Sequence, residues 1–125
     1  MFYQILLPSP PPLSACFLTD FRTKRRFKGK QYIQWEKEVK SLYESQDKVF
    51  FDKKIKLMYQ FGRYPDRRRR DFFNLEKALS DSLKANGIIE DDSLFELAVV
   101  MWTKKVECGK VLVTLTEAED EDGEE

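Results

Sequence analysis

The stretch from Asp66 to Asp92 reads DRRRRDFFNLEKALSDSLKANGIIEDD, and it contains the most informative pattern of this chain of 125 residues. Four arginines precede Asp71, an amphipathic segment follows it, and the acidic pair Asp91 and Asp92 ends the stretch. Arginine side chains bind phosphate groups, and carboxylates that converge on one point bind a divalent metal ion. Their combination within one helix and turn is what metal-dependent cleavage of a nucleic acid backbone requires.

The spacing of apolar residues within this stretch predicts a helix from Asp71 to Asn86. Asp71 suits the N-cap position, where its side chain can accept a backbone N–H, and Gly87 suits the position after the helix end. The stripe expected to face the core consists of Phe72, Leu75, Leu79 and Leu83, while Lys77, Asp81 and Lys84 lie away from it.

The rest of the chain predicts one further helix and four strands. Residues 8–31, which are rich in proline and then in basic side chains, predict a long loop. The last two strands are expected to form an antiparallel hairpin through the segment from Lys104 to Gly109. The order predicts an α+β domain, with a small mixed sheet of about four strands and two main helices packed on it. The helix is expected at Tyr32–Ser45 and the strands at Phe2–Leu7, Lys54–Phe61, Leu94–Trp102 and Lys110–Thr116.

The formal net charge of zero hides a strong asymmetry along the chain. Seven of the 22 acidic residues lie between Glu117 and Glu125, so residues 1–116 carry 22 basic and 15 acidic side chains, a net charge of +7. We therefore expect a single domain at residues 1–116 and a disordered acidic tail at residues 117–125. A basic domain favours a polyanionic partner, although a solubilising tail on an ordinary domain predicts the same composition.

The absence of histidine excludes His-based catalytic triads and most zinc sites. Cys16 and Cys108 have no metal-binding or redox spacing and are expected to be reduced. The apolar N-terminal stretch lacks a basic start and is interrupted from Pro8 onwards, so it does not resemble a signal peptide, and no stretch reaches transmembrane length. We expect a cytoplasmic protein that has neither a membrane partner nor a small-molecule substrate.

Basic side chains alternate with aromatic residues in the loop predicted at residues 8–31. Arg25, Arg26 and Lys28 are close in sequence to Phe21 and Phe27, and such a segment can bind a phosphate backbone and contact bases. A solvated flap with a few aromatic anchors would have the same composition. The second candidate set of phosphate contacts consists of Arg67, Arg68, Arg69 and Arg70.

A shared metal site needs Asp71 and the acidic pair after the helix to come together in space. The helix between them spans about 24 Å at roughly 1.5 Å per residue, so the turn must lead back or the site must be completed differently. Each candidate alone also has an ordinary explanation: a helix cap for Asp71, surface charge for the arginines and Lys77, and a turn for Asp91 and Asp92. Their joint spacing favours the functional interpretation.

The same residues carry a resemblance to the RusA-type Holliday junction resolvases. The helix motif of that family, RRRDxDNxxK, its D-A/S-L step and its GxxxDD turn are similar to this chain in residue type and spacing. The opening strand with its proline turn and the closing strand from Gly109 also resemble the family, so the likeness covers most of residues 4–117. The matching positions are Arg68, Arg69, Arg70, Asp71, Asn74, Lys77, Asp81, Ser82, Leu83, Gly87, Asp91 and Asp92.

The resemblance implies a homodimeric endonuclease that depends on Mg²⁺ and cuts four-way DNA junctions, as in recombination and repair. Asp71 and Asp92 would be the main metal ligands, with Asp91 beside them. Lys77 would be the essential lysine, a cation that can stabilise charge on the phosphate or the leaving oxygen. The arginines before Asp71 would contact the DNA backbone.

One position departs from the family pattern, because Phe73 stands where a second helix carboxylate is expected. Phe73 and Lys77 are four residues apart and share one face of the helix. Either the chain binds junctions with weak or no nuclease activity, or Asp66, Glu76 or Asp91 supplies the missing oxygen. A magnesium site can use few protein carboxylates with water and substrate phosphate, so Phe73 does not exclude activity. A third hypothesis is an interaction domain whose acidic tail mimics nucleic acid.

Overall fold

The computed structural model describes residues 1–11, 17–64 and 72–118, with the backbone alone at residues 17–18 and 72–74. The helices within these ranges are α1 (Lys30–Glu44) and α2 (Phe72–Ala85), and a 3₁₀ turn covers Asp92–Leu94. No helix in this part of the chain has the length and apolar character of a membrane-crossing segment. The strands are β1 (Phe2–Pro8), β2 (Phe17–Asp20), β3 (Arg25–Lys28), β4 (Ile55–Phe61), β5 (Phe95–Trp102) and β6 (Lys110–Glu117).

Four strands form the main sheet, in the order β1-β6-β4-β5. β4 pairs in parallel with β5 and antiparallel with β6, and β6 pairs antiparallel with β1. The small mixed sheet, the two main helices and the α+β class predicted from the sequence are therefore confirmed. The expected hairpin of β5 with β6 is wrong, because β4 lies between these two strands.

The connection from β5 to β6 crosses the end of β4 instead of turning back tightly. Gly62, directly after β4, donates its N–H to Lys110 O at 2.9 Å. A Cβ atom at this position would collide with the carbonyl oxygens of Val106 and Glu107, so glycine permits the close crossing. The two last strands follow each other in sequence, but β4 occupies the place between them in the sheet.

The long loop expected at residues 8–31 is wrong at residues 17–28, where β2 and β3 pair antiparallel; we call this segment the basic hairpin. Asp20 Oδ1 accepts the backbone N–H of Arg22 at 2.9 Å, and Lys24 adopts a left-handed backbone with φ of 57°. The turn therefore closes through local contacts. All of β3 is exposed, and a strand without a buried face has no apolar alternation from which it could be predicted.

Both helices pack on the same face of the main sheet. The buried sheet residues all belong to one alternating set. In β4 the sequence predicts this alternation, with Ile55, Leu57, Tyr59 and Phe61 on one face, and the structure confirms it. The stripe predicted for α2 is confirmed where its side chains are described. The apolar spacing of α1 also predicts a buried stripe of Tyr32, Trp35, Val39 and Leu42, which is confirmed with Leu42 partly buried. From the sheet the core contains Tyr3, Ile5, Leu7, Ile55, Leu57, Tyr59, Phe61, Val111, Val113 and Leu115, and from the helices Tyr32, Trp35, Val39, Tyr43, Leu75, Leu79 and Leu83.

α2 runs antiparallel to β4. Tyr59 OH, in the second half of β4, lies 2.9 Å from Ser80 Oγ in the buried layer between strand and helix. After the helix, the N–H of Phe51, which precedes β4, donates to Ile88 O at 2.9 Å. The beginning of α2 therefore lies at the end of the sheet where β4 finishes, and its end lies where β4 starts.

α2 ends at Ala85, one residue before the predicted end at Asn86, and Gly87 follows it with a left-handed φ of 73°, as predicted. Gly87 N–H donates to Lys84 O at 3.1 Å and Ile88 N–H donates to Leu83 O at 2.9 Å. These two bonds satisfy the last carbonyl groups of the helix in the pattern typical of a left-handed C-terminal residue. The chain then turns towards the acidic pair.

Candidate nucleic-acid interface and metal site

Asp91 is held by two contacts at the turn after α2. Its Oδ1 lies 2.8 Å from Lys84 Nζ, and its Oδ2 accepts the backbone N–H of Ser93 at 3.4 Å. The hydrogen bonds from Lys84 and Ser93 hold the pKa of Asp91 far below its ordinary value of 3.8, and Asp91 in turn raises the pKa of Lys84. Asp91 is therefore ionised and oriented as the cap of the 3₁₀ turn.

Asp92 is exposed and begins the 3₁₀ turn. Its carboxylate makes no hydrogen bond or ion pair with any residue in the described ranges. Asp91 and Asp92 are neighbours in sequence, but their carboxylates differ in the contacts that they make. Asp92 has both oxygens available to a ligand, whereas each oxygen of Asp91 already contacts a protein group.

Lys77 lies on the exposed face of α2, as predicted. Its side chain is 77% exposed, and Nζ is 3.8 Å from Asp81 Oδ2 one turn further along. An exposed ion pair at this distance has a small interaction free energy, so it does not prevent the ammonium group from contacting a substrate. Seven residues separate Lys77 from Lys84, a rise of about 10 Å along the helix axis.

Asp71 and the arginines Arg67, Arg68, Arg69 and Arg70 lie outside the described residues, so their roles stay predictions. Within the described ranges, no group of three or more Cys, Asp or Glu side chains forms a metal site. From Phe72, where α2 begins, to Lys84 the helix rises about 18 Å. A carboxylate just before α2 can share an ion with Asp92 only if the chain folds back along the helix or a second protomer contributes.

The basic hairpin presents its charges to solvent. Arg25, Arg26 and Lys28 lie on the fully exposed β3, as a phosphate-binding strand would require. Lys28 Nζ is 3.0 Å from Glu36 Oε2 and 5.7 Å from the ring centroid of Tyr32, so α1 already orients this cation. The contact with Glu36 was not predicted from the sequence, because Glu36 lies eight residues after Lys28, beyond the start of α1.

An exposed phenyl ring stands at the turn of the basic hairpin. The side chain of Phe21 is 91% exposed, and Phe27 on β3 is 49% exposed. An aromatic ring next to several cations can stack on a base while the cations contact phosphate. Sequence reasoning included Phe21 among the aromatic residues of a loop, but only the hairpin fold places it at the tip.

The basic hairpin and the turn after α2 that carries Asp91 and Asp92, which we call the acidic turn, lie at opposite ends of the sheet. β1 ends at Pro8, at the same end as Phe61 of β4, and Trp35 Nε1 of α1, which follows the hairpin, donates to Pro8 O at 2.8 Å. The acidic turn leads into Phe95, which pairs with Ile55 at the other end. β4 spans about 20 Å between these ends. The structure therefore does not bring the two sets together within one protomer.

Comparisons with known proteins identify the class. The family model for endodeoxyribonuclease RusA matches residues 18–116 of this chain. The chain is also 32% identical over 123 residues to the crossover junction endodeoxyribonuclease RusA of Enterobacteria phage HK97, and this match covers 94% of the chain and 96% of the relative. The basic, exposed surface of this α+β domain and the matched sequences together define a DNA-cutting enzyme.

The chain belongs to the RusA family of endodeoxyribonucleases. The resemblance drawn from the motif between Arg68 and Asp92 is thereby confirmed, as is DNA as the substrate class. Both names are those of nucleases, so the comparisons give no support to the alternative of a binding protein that has lost its chemistry.

Proposed function

We propose that this chain resolves four-way DNA junctions as a homodimer that hydrolyses phosphodiester bonds with Mg²⁺. Family membership carries this proposal, together with an exposed Asp92, an exposed Lys77 and the basic hairpin in one small domain. A four-way junction has two-fold symmetry, and a symmetric dimer would place two equivalent sites on it for paired nicks. The cytoplasmic location expected from the sequence remains a prediction.

Asp71 and Asp92 are the proposed metal ligands, with Asp91 beside them. Carboxylate oxygens are hard donors and suit Mg²⁺, which also keeps several water molecules in its coordination shell. Asp92 fits this role because its oxygens have no other partner in the described part of the chain, while Asp91 is oriented by Lys84 and Ser93. The ion, when bound, would activate water and neutralise charge at the phosphate.

Lys77 is the proposed cation at the scissile phosphate. Its ammonium group projects from the exposed face of α2, and among the described residues it forms only the loose ion pair with Asp81 at 3.8 Å. A positive charge fixed near the phosphate stabilises the negative charge that develops on its oxygens and on the leaving group during hydrolysis. A rigid helix holds this charge in place more firmly than a loop would.

Arg25, Arg26 and Lys28 of the basic hairpin are proposed to follow the phosphate backbone of one arm. The arginines at positions 67–70 form the second proposed set of phosphate contacts. Such contacts carry no sequence information, so binding through them is sensitive to salt and selects the shape of the DNA. Two N–H groups of the Lys28 ammonium are directed at Glu36, so the third can bind a phosphate oxygen.

The test is cleavage of an end-labelled mobile four-way junction with Mg²⁺, beside a linear duplex of the same sequence. We expect paired symmetric nicks in the junction, no cutting of the duplex, and loss of cutting in Asp92→Asn and when EDTA is added. Tight junction binding without nicks over a wide range of protein concentration would overturn the nuclease proposal.

The departure at Phe73 gives this test a second arm. If the wild-type chain binds junctions without cutting and Phe73→Asp cuts them, the chain is a binding protein whose missing ligand is the carboxylate at position 73. If the wild type cuts and Phe73→Asp changes the rate little, then two carboxylates with water and phosphate suffice for the ion.

A further inference from the structure

Glu76 is a partly buried carboxylate near the beginning of α2, on the side of the helix that packs against β4. Ser80 Oγ, one turn further along, lies 2.6 Å from Glu76 Oε1, and Tyr59 OH lies 2.9 Å from Ser80 Oγ. Both hydroxyl residues are buried in the core layer between strand and helix. A glutamate is seldom drawn towards a core unless it has a partner or a function there.

The direction of this chain of hydrogen bonds follows from the chemistry of its members. An ionised carboxylate only accepts hydrogen bonds, so Ser80 donates its single hydroxyl proton to Glu76, and Tyr59 must donate to Ser80 Oγ. The distance of 2.6 Å is typical of a hydroxyl group that donates to a charged carboxylate. Two buried hydroxyl groups therefore fix Oε1 of Glu76, whereas Oε2 makes no hydrogen bond or ion pair in the part of the chain that the structure describes.

A second buried tyrosine–serine pair on the same helix shows the ordinary alternative. Tyr43 OH lies 2.8 Å from Ser82 Oγ, and Ser82 in turn donates to Leu79 O at 2.6 Å. This chain of bonds ends on a backbone carbonyl within the core, which is a common way to satisfy a buried hydroxyl group. The pair of Tyr59 and Ser80 ends instead on a side-chain carboxylate that is partly exposed.

Glu76 borders the face of α2 that carries Phe73 and Lys77. Residues three apart on a helix are separated by about 60° around the axis, and their Cβ atoms by about 5–6 Å. A glutamate is also one methylene group longer than the aspartate that the family pattern places at position 73. The carboxylate of Glu76 is therefore within reach of the place that an aspartate carboxylate at position 73 would occupy.

The other carboxylates considered as replacements are less suitable. Both oxygens of Asp91 already contact protein groups, Lys84 Nζ and the backbone N–H of Ser93, beyond the far end of α2. Asp66 lies outside the described residues. Glu76 is thus the candidate that the contacts support, because it lies at the beginning of the helix and has one oxygen available.

We propose that Glu76 supplies the helix carboxylate that is lost at Phe73, with Oε2 as a ligand of the divalent metal ion. Carboxylate oxygens suit Mg²⁺, and carboxylates that bind metal ions are commonly held by hydrogen bonds from neighbouring groups. Ser80 and Tyr59 hold Glu76 in this way and act as positioning residues. The inference rests on the proposed nuclease function for its ion, and it accounts for a metal site in a chain that has Phe73.

The first test measures binding of Mn²⁺ to the free protein by electron paramagnetic resonance, because Mn²⁺ prefers the same oxygen ligands as Mg²⁺. Glu76→Gln keeps the size of the side chain and an oxygen that accepts from Ser80, but it removes the charge. We expect it to weaken Mn²⁺ binding by about 10-fold or more and to slow junction cleavage by about 100-fold. Glu44→Gln, an exposed glutamate at the end of α1, is the matched control and should behave like the wild type.

The second test asks whether a carboxylate at position 73 can replace the one at position 76. The double variant Phe73→Asp with Glu76→Gln is expected to recover Mn²⁺ binding and cleavage to within about 10-fold of the wild type. A site that needs only two other carboxylates predicts that Glu76→Gln binds and cuts like the wild type, and this result would overturn the inference. A loss in Glu76→Gln that Phe73→Asp does not relieve would also overturn it.

The positioning role is tested by removing hydroxyl groups in pairs. Tyr59→Phe with Ser80→Ala deletes both donors together, so no buried hydroxyl group loses its partner. This double variant is expected to weaken Mn²⁺ binding by about 10-fold while its circular dichroism stays that of the folded protein. Tyr43→Phe with Ser82→Ala is the matched control and should leave Mn²⁺ binding unchanged. Equal Mn²⁺ affinity in the two double variants would overturn the positioning role.

Failure of this inference can be distinguished from failure of the proposed function. A wild type that binds Mn²⁺ through Glu76 but never nicks a four-way junction contradicts the nuclease and leaves the metal ligand standing. A wild type that nicks the junction, with Glu76→Gln binding and nicking equally well, contradicts the metal ligand alone. A wild type that binds no Mn²⁺ at millimolar concentration also contradicts the metal ligand.

Discussion

Lys84 Nζ lies 2.8 Å from Asp91 Oδ1, and this contact joins the end of α2 to the turn that carries both acidic residues. Lys84 lies in the last turn of α2, which ends at Ala85, and Asp91 lies beyond Gly87, so the contact connects the two sides of the turn. Asp91 is thereby oriented and ionised, and its neighbour Asp92 is left exposed. The roles of Asp91 and Asp92 can therefore be distinguished by mutating each residue separately.

Asp92→Asn is expected to lower junction cleavage by about 100-fold or more, because the amide replaces one of the two main proposed metal-binding carboxylates. Asp91→Asn should lower junction cleavage less, by about 10-fold, since Asp91 acts mainly by fixing the conformation of the turn. Single-turnover cleavage with saturating junction measures both. Equal losses in the two variants would show that Asp91 is as direct a ligand as Asp92.

Lys77→Ala is expected to reduce the single-turnover rate by about 100-fold while junction affinity changes little, because the ammonium group acts on charge that develops during the reaction. Lys77→Arg should retain more activity than alanine, since the charge is kept. Lys40→Ala, an exposed lysine on α1, is the matched control and should cut like the wild type. A drop in affinity without a drop in rate would make Lys77 a binding residue only.

Phe21→Ala is expected to weaken junction binding by about 5- to 150-fold, the equivalent of one stacked base at 1–3 kcal/mol. Phe21→Trp should preserve binding, because the indole ring offers a larger stacking surface. Fluorescence of a 2-aminopurine placed at the branch point reports the stacking directly. Phe50→Ala removes a ring that is 51% exposed outside the hairpin, and it should leave both measurements unchanged.

Gly62→Ala is expected to destabilise the fold by about 1–3 kcal/mol or more, because the added methyl group collides with the backbone of residues 106 and 107 where the β5–β6 connection crosses β4. Urea unfolding followed by circular dichroism measures the change. Lys53→Ala, an exposed position just before β4, serves as the comparison and should lie close to the wild type. A stable Gly62→Ala would mean that the crossing segment moves aside easily.

Acid sensitivity is expected from the Lys84–Asp91 contact. The pKa of Asp91 is depressed in the folded state, so its contribution to the free energy of unfolding is present above the ordinary value of 3.8 and is lost as pH falls below it towards the lower folded pKa. The raised pKa of Lys84 acts in the opposite range: its contribution is present below 10.5 and is lost as pH rises above that value. Both effects are small, because the pair is at the surface.

The urea concentration at the midpoint of unfolding, measured from neutral pH to below pH 3.8, should decrease less steeply with falling pH for Asp91→Asn than for the wild type. Lys84→Met should remove the same part of the acid dependence, and combining the two variants should add nothing further. An unchanged acid profile in both single variants would contradict the role of this contact.

Tyr43 and Tyr59 predict a loss of stability at high pH. Burial raises the pKa of both phenol groups above the ordinary value of 10.0, with the bonds to Ser82 and Ser80 acting in the opposite direction. The folded state therefore keeps both protons above pH 10.0 while the unfolded state releases them, and the free energy of unfolding falls as pH rises. The absorbance of tyrosinate should appear together with the loss of circular dichroism, and release of these two protons from a chain that stays folded would be the contrary result.

The sequence alone determined which residues face the core and which family the chain belongs to. Helix and strand periodicity depends only on neighbours within one element, so the stripe from Leu75 to Leu83 and the alternation from Ile55 to Phe61 could be predicted from the residues themselves. The motif from Arg68 to Asp92 could be recognised from the sequence for a similar reason, because its residues belong to one helix and the turn that follows it.

The order of strands and the contacts across the turn were decided only by the tertiary structure. β4 separates β5 from β6, and Lys84 meets Asp91, because pairing and packing of distant segments depend on the free energy of the whole core, which no local pattern contains. The basic hairpin escaped prediction because β3, whose side chains are all exposed, offers no apolar alternation. The same long-range packing places the acidic turn and the hairpin at opposite ends of the sheet. Because β5 runs parallel to β4, the helix between them must lead the chain back to the end of the sheet where β4 began, and the acidic turn lies there.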